Sequence, residues 1–223
     1  ALFSNTTSDE NVAIGKNALY TQSFDNGGVA YSLANTAVGF EALYTNNPTF
    51  LGNAQYNTAI GYKSLRQNTN GNGNTALGYN ALNENTNGSS NTAVGSSALL
   101  ANTTGLRNVA IGTATAWNNT AGSDNIAIGT LALSTQNFNI GYGYSTGNIA
   151  IGFYSLFNNN PTVSDNGKYN TAIGYYAMKE NTIGFNNTTL GYYSAVNNTT
   201  GSYNVAIGDS SGFTLTTGNN NTL

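Results

Sequence analysis

The hexapeptide NTAIGY at residues 57–62 returns letter for letter at 170–175, and both copies belong to a longer series. With the Asn of N-x-A-[IVL]-G taken as position 1, copies begin at Asn11, Asn35, Asn57, Asn74, Asn91, Asn108, Asn125, Asn148, Asn170, Asn187 and Asn204; the one at Asn187 carries Thr189 in place of Ala. Asn221-Thr222-Leu223 opens a twelfth. Successive spacings are 24, 22, 17, 17, 17, 17, 23, 22, 17, 17 and 17, which defines a 17-residue unit with four lengthened copies. The unit reads N-[TVI]-A-[IVL]-G-x-x-[AST]-L-x-x-N-T-x-G-x-x. Strict recurrence at so short a period is the mark of a solenoid, in which each unit is one coil and buries its apolar side against its neighbours.

A second level of order lies in the spacings, because the long pair 24, 22 comes back as 23, 22 after four short units. The chain therefore reads as one repetitive domain over 1–223, built of a duplicated block of about 113 residues that occupies 11–124 and, truncated, 125–223. The inserts agree: Asn46-Asn47-Pro48-Thr49 matches Asn159-Asn160-Pro161-Thr162. Both ends fall inside a unit, which reads as a segment of a longer array.

Each unit holds two Asn, two Gly and β-branched residues at its most regular positions, all poor helix formers. The expected fold is all-β: a parallel β-solenoid, or β-roll, of eleven coils, four of them longer. We expect a strand at positions 2–5, a second around 7–10, and turns between. Coils stacked at about 4.8 Å give a rod of roughly 50 Å, with Asn at positions 1 and 12 forming amide ladders from coil to coil. Ile, Val or Leu at position 4 and Leu at position 9 are the expected core. The opposite strand face, Ala at 3 and Gly at 5, is then small and smooth enough to pack on another chain. Two large apolar side chains are few for ordering 17 residues, so a homo-oligomer is expected, most simply a trimer. An end-to-end polymer is the alternative.

Composition narrows the function. Forty Asn beside 27 Gly and only 7% charged residues is far from globular usage. A net charge of −3 with six scattered Lys and Arg offers no footprint for nucleic acid. No apolar run approaches the length of a membrane span. Cys and His are absent, which removes disulfides, thiolate metal sites and the commonest general base. No metal or cofactor is expected.

The motif N-x-A-[IVL]-G-x-x-[AS] resembles the head repeats of trimeric autotransporter adhesins. With the tail N-T-x-G, seen at Asn68-Thr69-Asn70-Gly71 and Asn198-Thr199-Thr200-Gly201, the unit also looks like repeats of phage and viral tail fibres. The resemblance covers almost the whole chain. It implies a left-handed parallel β-roll, trimerisation, attachment to a cell or host surface, and no catalytic residues. This unit is longer than the adhesin-head unit.

For catalysis the acids are Asp9, Glu10, Asp25, Glu41, Glu84, Asp124, Asp165, Glu180 and Asp209, and no spacing among them sets up a converging pair. The aromatic residues are sharper. At position 6, Phe40, Tyr62 and Tyr79 are answered by Phe153, Tyr175 and Tyr192, two ladders that either stack on sugar rings or pack between subunits. Phe50, Tyr56, Tyr142, Tyr144 and Tyr169 are expected on projecting loops as recognition residues for a cell-surface glycan or protein receptor. The leading expectation is a non-enzymatic extracellular fibre or adhesin segment on a cell or virion. Its rivals are a carbohydrate-binding or ice-binding solenoid, the latter suggested by Thr at positions 2 and 13.

Overall fold

The computed structural model describes residues 2–3, 8–22, 31–137 and 143–223. Among them there is no helix. Every coil contributes one three-residue strand, from Val12–Ile14 and Thr36–Val38 through Thr92–Val94 and Val109–Ile111 to Val205–Ile207, and the eleven form a single parallel sheet in chain order. The register is letter on letter: Thr75, Ala76 and Leu77 pair with Thr92, Ala93 and Val94. It continues across the block boundary, where Ala110 pairs with Ala127. Two shorter pairs, Ser8–Asp9 with Tyr31–Ser32 and Gly122–Ser123 with Tyr144–Ser145, accompany lengthened coils.

The β-solenoid is as expected, but its inside and outside are exchanged. Ala37, Ala59, Ala76, Ala93, Ala110, Ala127, Ala150, Ala172 and Ala206 at position 3 are fully buried, while Ile14 and Ile207 at position 4 are 60% and 58% exposed. Side chains alternate along a strand. Asn at position 1 must point inward to complete its hydrogen bonds, so position 3 follows it in and positions 2 and 4 face out. The narrow interior then has room for Ala opposite Leu19, Leu43, Leu65, Leu82, Leu99, Leu133 and Leu156 at position 9.

The second strand around positions 7–10 is not a strand either. Asn80 and Leu82 stand at φ 52° and 53°, a left-handed conformation, and the segment is a turn. Its backbone still bonds the next coil, Leu82 N–H to the Ala98 carbonyl at 2.9 Å and Glu84 N–H to that of Leu100 at 3.0 Å. Such bonds hold each unfavourable φ in place.

The two Asn columns are the interior framework. The Asn74 Oδ1 accepts from both the backbone N–H and the Nδ2 of Asn91, at 3.0 and 3.2 Å, and the Asn91 Nδ2 donates also to the Gly105 carbonyl at 2.9 Å. At position 12, the Asn102 Nδ2 donates to the Asn85 Oδ1 at 2.8 Å and to that same Gly105 carbonyl at 3.2 Å. One carbonyl at position 15 thus ties the columns together, and all these amides are buried. Gly at 15 leaves room for the approach: a Cβ on Gly105 would lie 2.5 Å from the Gly122 carbonyl oxygen. Gly at position 5 is required twice over, since Gly95 has φ 130° and a Cβ there would sit 2.5 Å from the Gly112 carbonyl oxygen.

The same bond explains where insertions are tolerated. In a short coil Asn85 reaches the carbonyl three residues on, at Gly88. In lengthened coils Asn46 reaches Ala54 at 3.1 Å and Asn159 reaches Gly167 at 2.7 Å, each eight residues on. The extra residues bulge between two fixed points. Gln136 replaces Asn in another long coil, and its additional methylene lets it donate to the Asn119 Oδ1 at 3.0 Å while accepting from Asn148 and Asn159 at 2.8 and 3.0 Å.

Candidate interaction surface

Because position 4 faces out, the sheet presents an unbroken outer row: Ile14, Val38, Ile60, Leu77, Val94, Ile111, Ile128, Ile151, Ile173, Leu190 and Ile207. Beside it runs position 2, with Thr at six rungs and Val12, Val109, Ile126, Ile149 and Val205 at the others. Neither row contains a charge. Over the three strand residues the surface measures roughly 50 Å by 7 Å, on the order of 350 Å². A monomer seldom exposes contiguous apolar patches above a few hundred square ångströms.

Position 6 borders this face. Phe40, Tyr62 and Tyr79 form a stacked ladder, with centroids 5.1 and 5.3 Å apart and planes within 13° and 8°. Phe153, Tyr175 and Tyr192 repeat it at 5.2 and 5.5 Å. All but Phe40 are more than a third exposed. Each inner ring has both faces covered by its neighbours, so the ladders offer ring edges and hydroxyls outward rather than free faces. Stacking on a sugar needs a free face, which leaves only the ends of each ladder for that purpose.

Two further ladders escaped the sequence reading, although the same 17-residue count finds them. At position 7, Tyr154, Tyr176 and Tyr193 stack at 5.2 and 5.1 Å beside the second ladder. At position 10, Phe3, Tyr20 and Tyr44 stack at 4.9 and 5.1 Å, and Arg66 lies over the Tyr44 ring at 5.1 Å while pairing with Glu41 at 2.7 Å. In the crowded second block, loss of solvation first, and neighbouring tyrosines next, raise the phenols of Tyr176 and Tyr192 above their ordinary range.

The loop residues divide. Phe50 projects, 71% exposed beside Leu51, on a loop anchored through Thr49, whose N–H and hydroxyl both donate to the Asn70 Oδ1 at 2.9 Å. Tyr56 and Tyr169 are exposed but do not project on inserts: each occupies position 17, the left-handed corner before the strand, at φ 58° and 56°. Tyr144 is a correction. It belongs to the short strand paired with Gly122–Ser123, and burial pushes its phenol up to about 12. Tyr142 lies outside the described residues.

Four of the acids weighed for catalysis pair with cations: Glu41 with Arg66, Asp124 with Arg107 at 2.6 Å, Asp165 with Lys168 at 2.8 Å and Glu180 with Lys179 at 2.5 Å. The Thr hydroxyls at position 13 are likewise engaged, as those of Thr69, Thr86 and Thr103 donate to the carbonyls of Thr86, Thr103 and Thr120 at 2.9, 3.1 and 3.0 Å. No protein-family model matches the chain, and neither a curated protein nor a solved structure matches it.

Proposed function

We propose that this chain is a structural, non-enzymatic segment of an extracellular fibre, of the adhesin-head or tail-fibre kind, that works as a homotrimer. The observation that supports it most is the outer row of Ile, Val and Leu running the length of the sheet with no charge in it. A rigid rod supplies an apolar row of that length without loss of order on binding. The sequence resemblance to trimeric fibres points the same way. In this reading the solenoid provides stiffness, and the inserts, led by the Phe50 loop, provide contact with a cell-surface glycan or protein receptor on a cell or host.

Negative-stain micrographs test the proposal. Uniform rods about 50 Å long and wider than one solenoid are the expected result; compact single particles would contradict it. An ice-binding role stays weaker, since position 2 alternates Thr with Val and Ile and the Thr of position 13 bond to backbone. Measurable thermal hysteresis would reverse that ranking.

A further inference from the structure

Between its two ladders the position 6 column loses its rings, and the gap is a recess. Positions 6, 7 and 10 lie side by side across one face of the solenoid: within a single coil the rings of Phe153 and Tyr154 are 4.6 Å apart, and those of Tyr154 and Phe157 4.7 Å. At position 6 the rings stop after Tyr79 and resume at Phe153, four rungs on, a distance of about 19 Å. Between them stand Ser96, Thr113 and Thr130, with Ser97, Ala114 and Leu131 beside them at position 7. The backbone runs on unchanged, since the N–H groups of Ser97, Ala114, Leu131 and Tyr154 donate to the position 6 carbonyls of the preceding rungs at 2.8, 2.9, 3.0 and 3.1 Å. The recess is therefore cut by side-chain size alone.

Its walls and floor differ in chemistry. Tyr79 and Phe153 each turn a ring face toward the gap that no further ring covers. At position 10 of the middle rung Trp117 takes the place that Phe157 holds beside Tyr154; it is 42% exposed, and no ring of the described residues stacks on it. The hydroxyls of Ser96, Ser97, Thr113 and Thr130 make no hydrogen bond among the described residues, whereas that of Thr115, which is buried, donates to the Gly129 carbonyl at 2.7 Å. Residues 96–101, 113–118 and 130–135, which form this face of the three rungs, include no charged side chain; charge returns with Glu84 on one side and Lys179 on the other.

We infer that this recess binds a neutral glycan, with the apolar C–H face of one pyranose resting on the Trp117 indole and its hydroxyls bonded to those of Ser96, Thr113 and Thr130. A sugar ring joins an apolar face to a rim of hydroxyls, which is the pairing the recess offers: uncovered aromatic rings beside unpartnered hydroxyls. A purely apolar ligand would take those hydroxyls out of water with nothing to bond, and a charged one would find no counter-charge. The chain bends at the position 5 glycine, with Gly112 at φ 132°, so the recess lies round the corner from the Ile, Val and Leu row. The inference deepens the receptor contact proposed above and rests on it for the presence of a glycan, while moving that contact from the inserts to the face of the rod.

Trp117 is the only tryptophan, so intrinsic indole fluorescence reports on the recess directly. The unmodified chain is titrated with maltotriose, cellotriose, triacetylchitotriose and fucosyllactose, and with sialyllactose as the charged comparison. A saturable change is expected with at least one neutral sugar, half complete at about 1 mM or below, and at least tenfold weaker binding of sialyllactose. No change with any neutral sugar, or binding of sialyllactose alone, would overturn the inference. By calorimetry, Thr113→Tyr, which carries the ladder into the recess, and Trp117→Ala are each expected to weaken binding at least tenfold with the strand signal in circular dichroism retained. Phe50→Ala, at the tip of an insert, should leave binding within twofold. Binding that survives Thr113→Tyr but is lost in Phe50→Ala places the glycan on the inserts, so this inference fails and the receptor reading stands. The fibre reading is judged apart from these results by mass in solution: a monomer that binds the sugar through Trp117 keeps the site and loses the fibre.

Discussion

Asn74 and Asn85, at positions 1 and 12 of one coil, donate to the same acceptor: each Nδ2 lies 2.9 Å from the Gly88 carbonyl oxygen. This shared contact joins three of the most regular letters of the repeat into one unit and makes a buried polar column tolerable, because each Nδ2 finds partners along and across the columns, while the Oδ1 of Asn102 and of Asn198 is buried with no hydrogen-bond partner. Asn85→Ala removes the donor to the Asn68 Oδ1 and the acceptor of the Asn102 Nδ2. Buried groups left unpaired cost about 1–3 kcal/mol each, so the variant is expected to lose about 2–4 kcal/mol in urea unfolding. Asn87→Ala, on an exposed ladder, should stay within about 0.5 kcal/mol.

The glycine columns make a second contrast. Gly95→Ala places a Cβ 2.5 Å from the Gly112 carbonyl oxygen at a φ of 130°, with backbone on the far side and nothing flexible to yield. A loss of about 3 kcal/mol or more is expected, or failure to fold. Gly73→Ala, at φ 63° with no atom within 4 Å, should cost only the left-handed conformation, about 1–2 kcal/mol. Equal melting temperatures for the two variants would show that the coils are not stacked this closely.

Ala110 and Ile111 are adjacent and face opposite ways, 0% and 39% exposed in the single chain. Ala110→Asp puts an unpaired charge into the apolar interior and is expected to abolish the strand signal in circular dichroism. Ile111→Asp should keep that signal while slowing or preventing association in sedimentation velocity. The reverse pattern would mean that position 4, not position 3, points inward.

Alkaline pH acts through Tyr144. Burial raises its phenol from 10.0 to about 12, so the neutral form is favoured in the folded chain. The stabilisation is complete below the unfolded value near 10 and is lost as pH rises through the folded value near 12. Spectrophotometric titration should show a component ionising near 12, and Tyr144→Phe should remove that component.

On the acid side, the hydrogen bond from Arg107 holds the Asp124 carboxyl below its usual range. Its contribution is present above the unfolded carboxyl value and lost as pH falls through the lowered one. The pair is exposed, so Asp124→Asn should flatten the acid limb only slightly and less at high salt.

Much of this was legible in one sequence because the spatial neighbour of each residue is its own equivalent 17 places on. The period gave the coil, the parallel register, the amide columns and the position 6 ladders directly. What it concealed was orientation. Hydrophobicity alone sends Ile111 inward and Ala110 outward, and only the requirement that Asn108 reach the Gly122 carbonyl at 2.9 Å reverses them. The left-handed residues at positions 7 and 9 were hidden for a related reason: Leu82 carries no turn signal, and its φ of 53° is imposed by the bond to Ala98. Tyr144 was misread because the lengthened coil adds a short strand that the 17-residue count does not contain.

The central claim is that the outer Ile, Val and Leu row is covered by further copies of this chain, and sedimentation equilibrium of the unmodified protein tests it most directly. The account predicts a single species of three times 23.2 kDa, about 70 kDa, across the concentration range. A species of 23.2 kDa that persists at high concentration would contradict it.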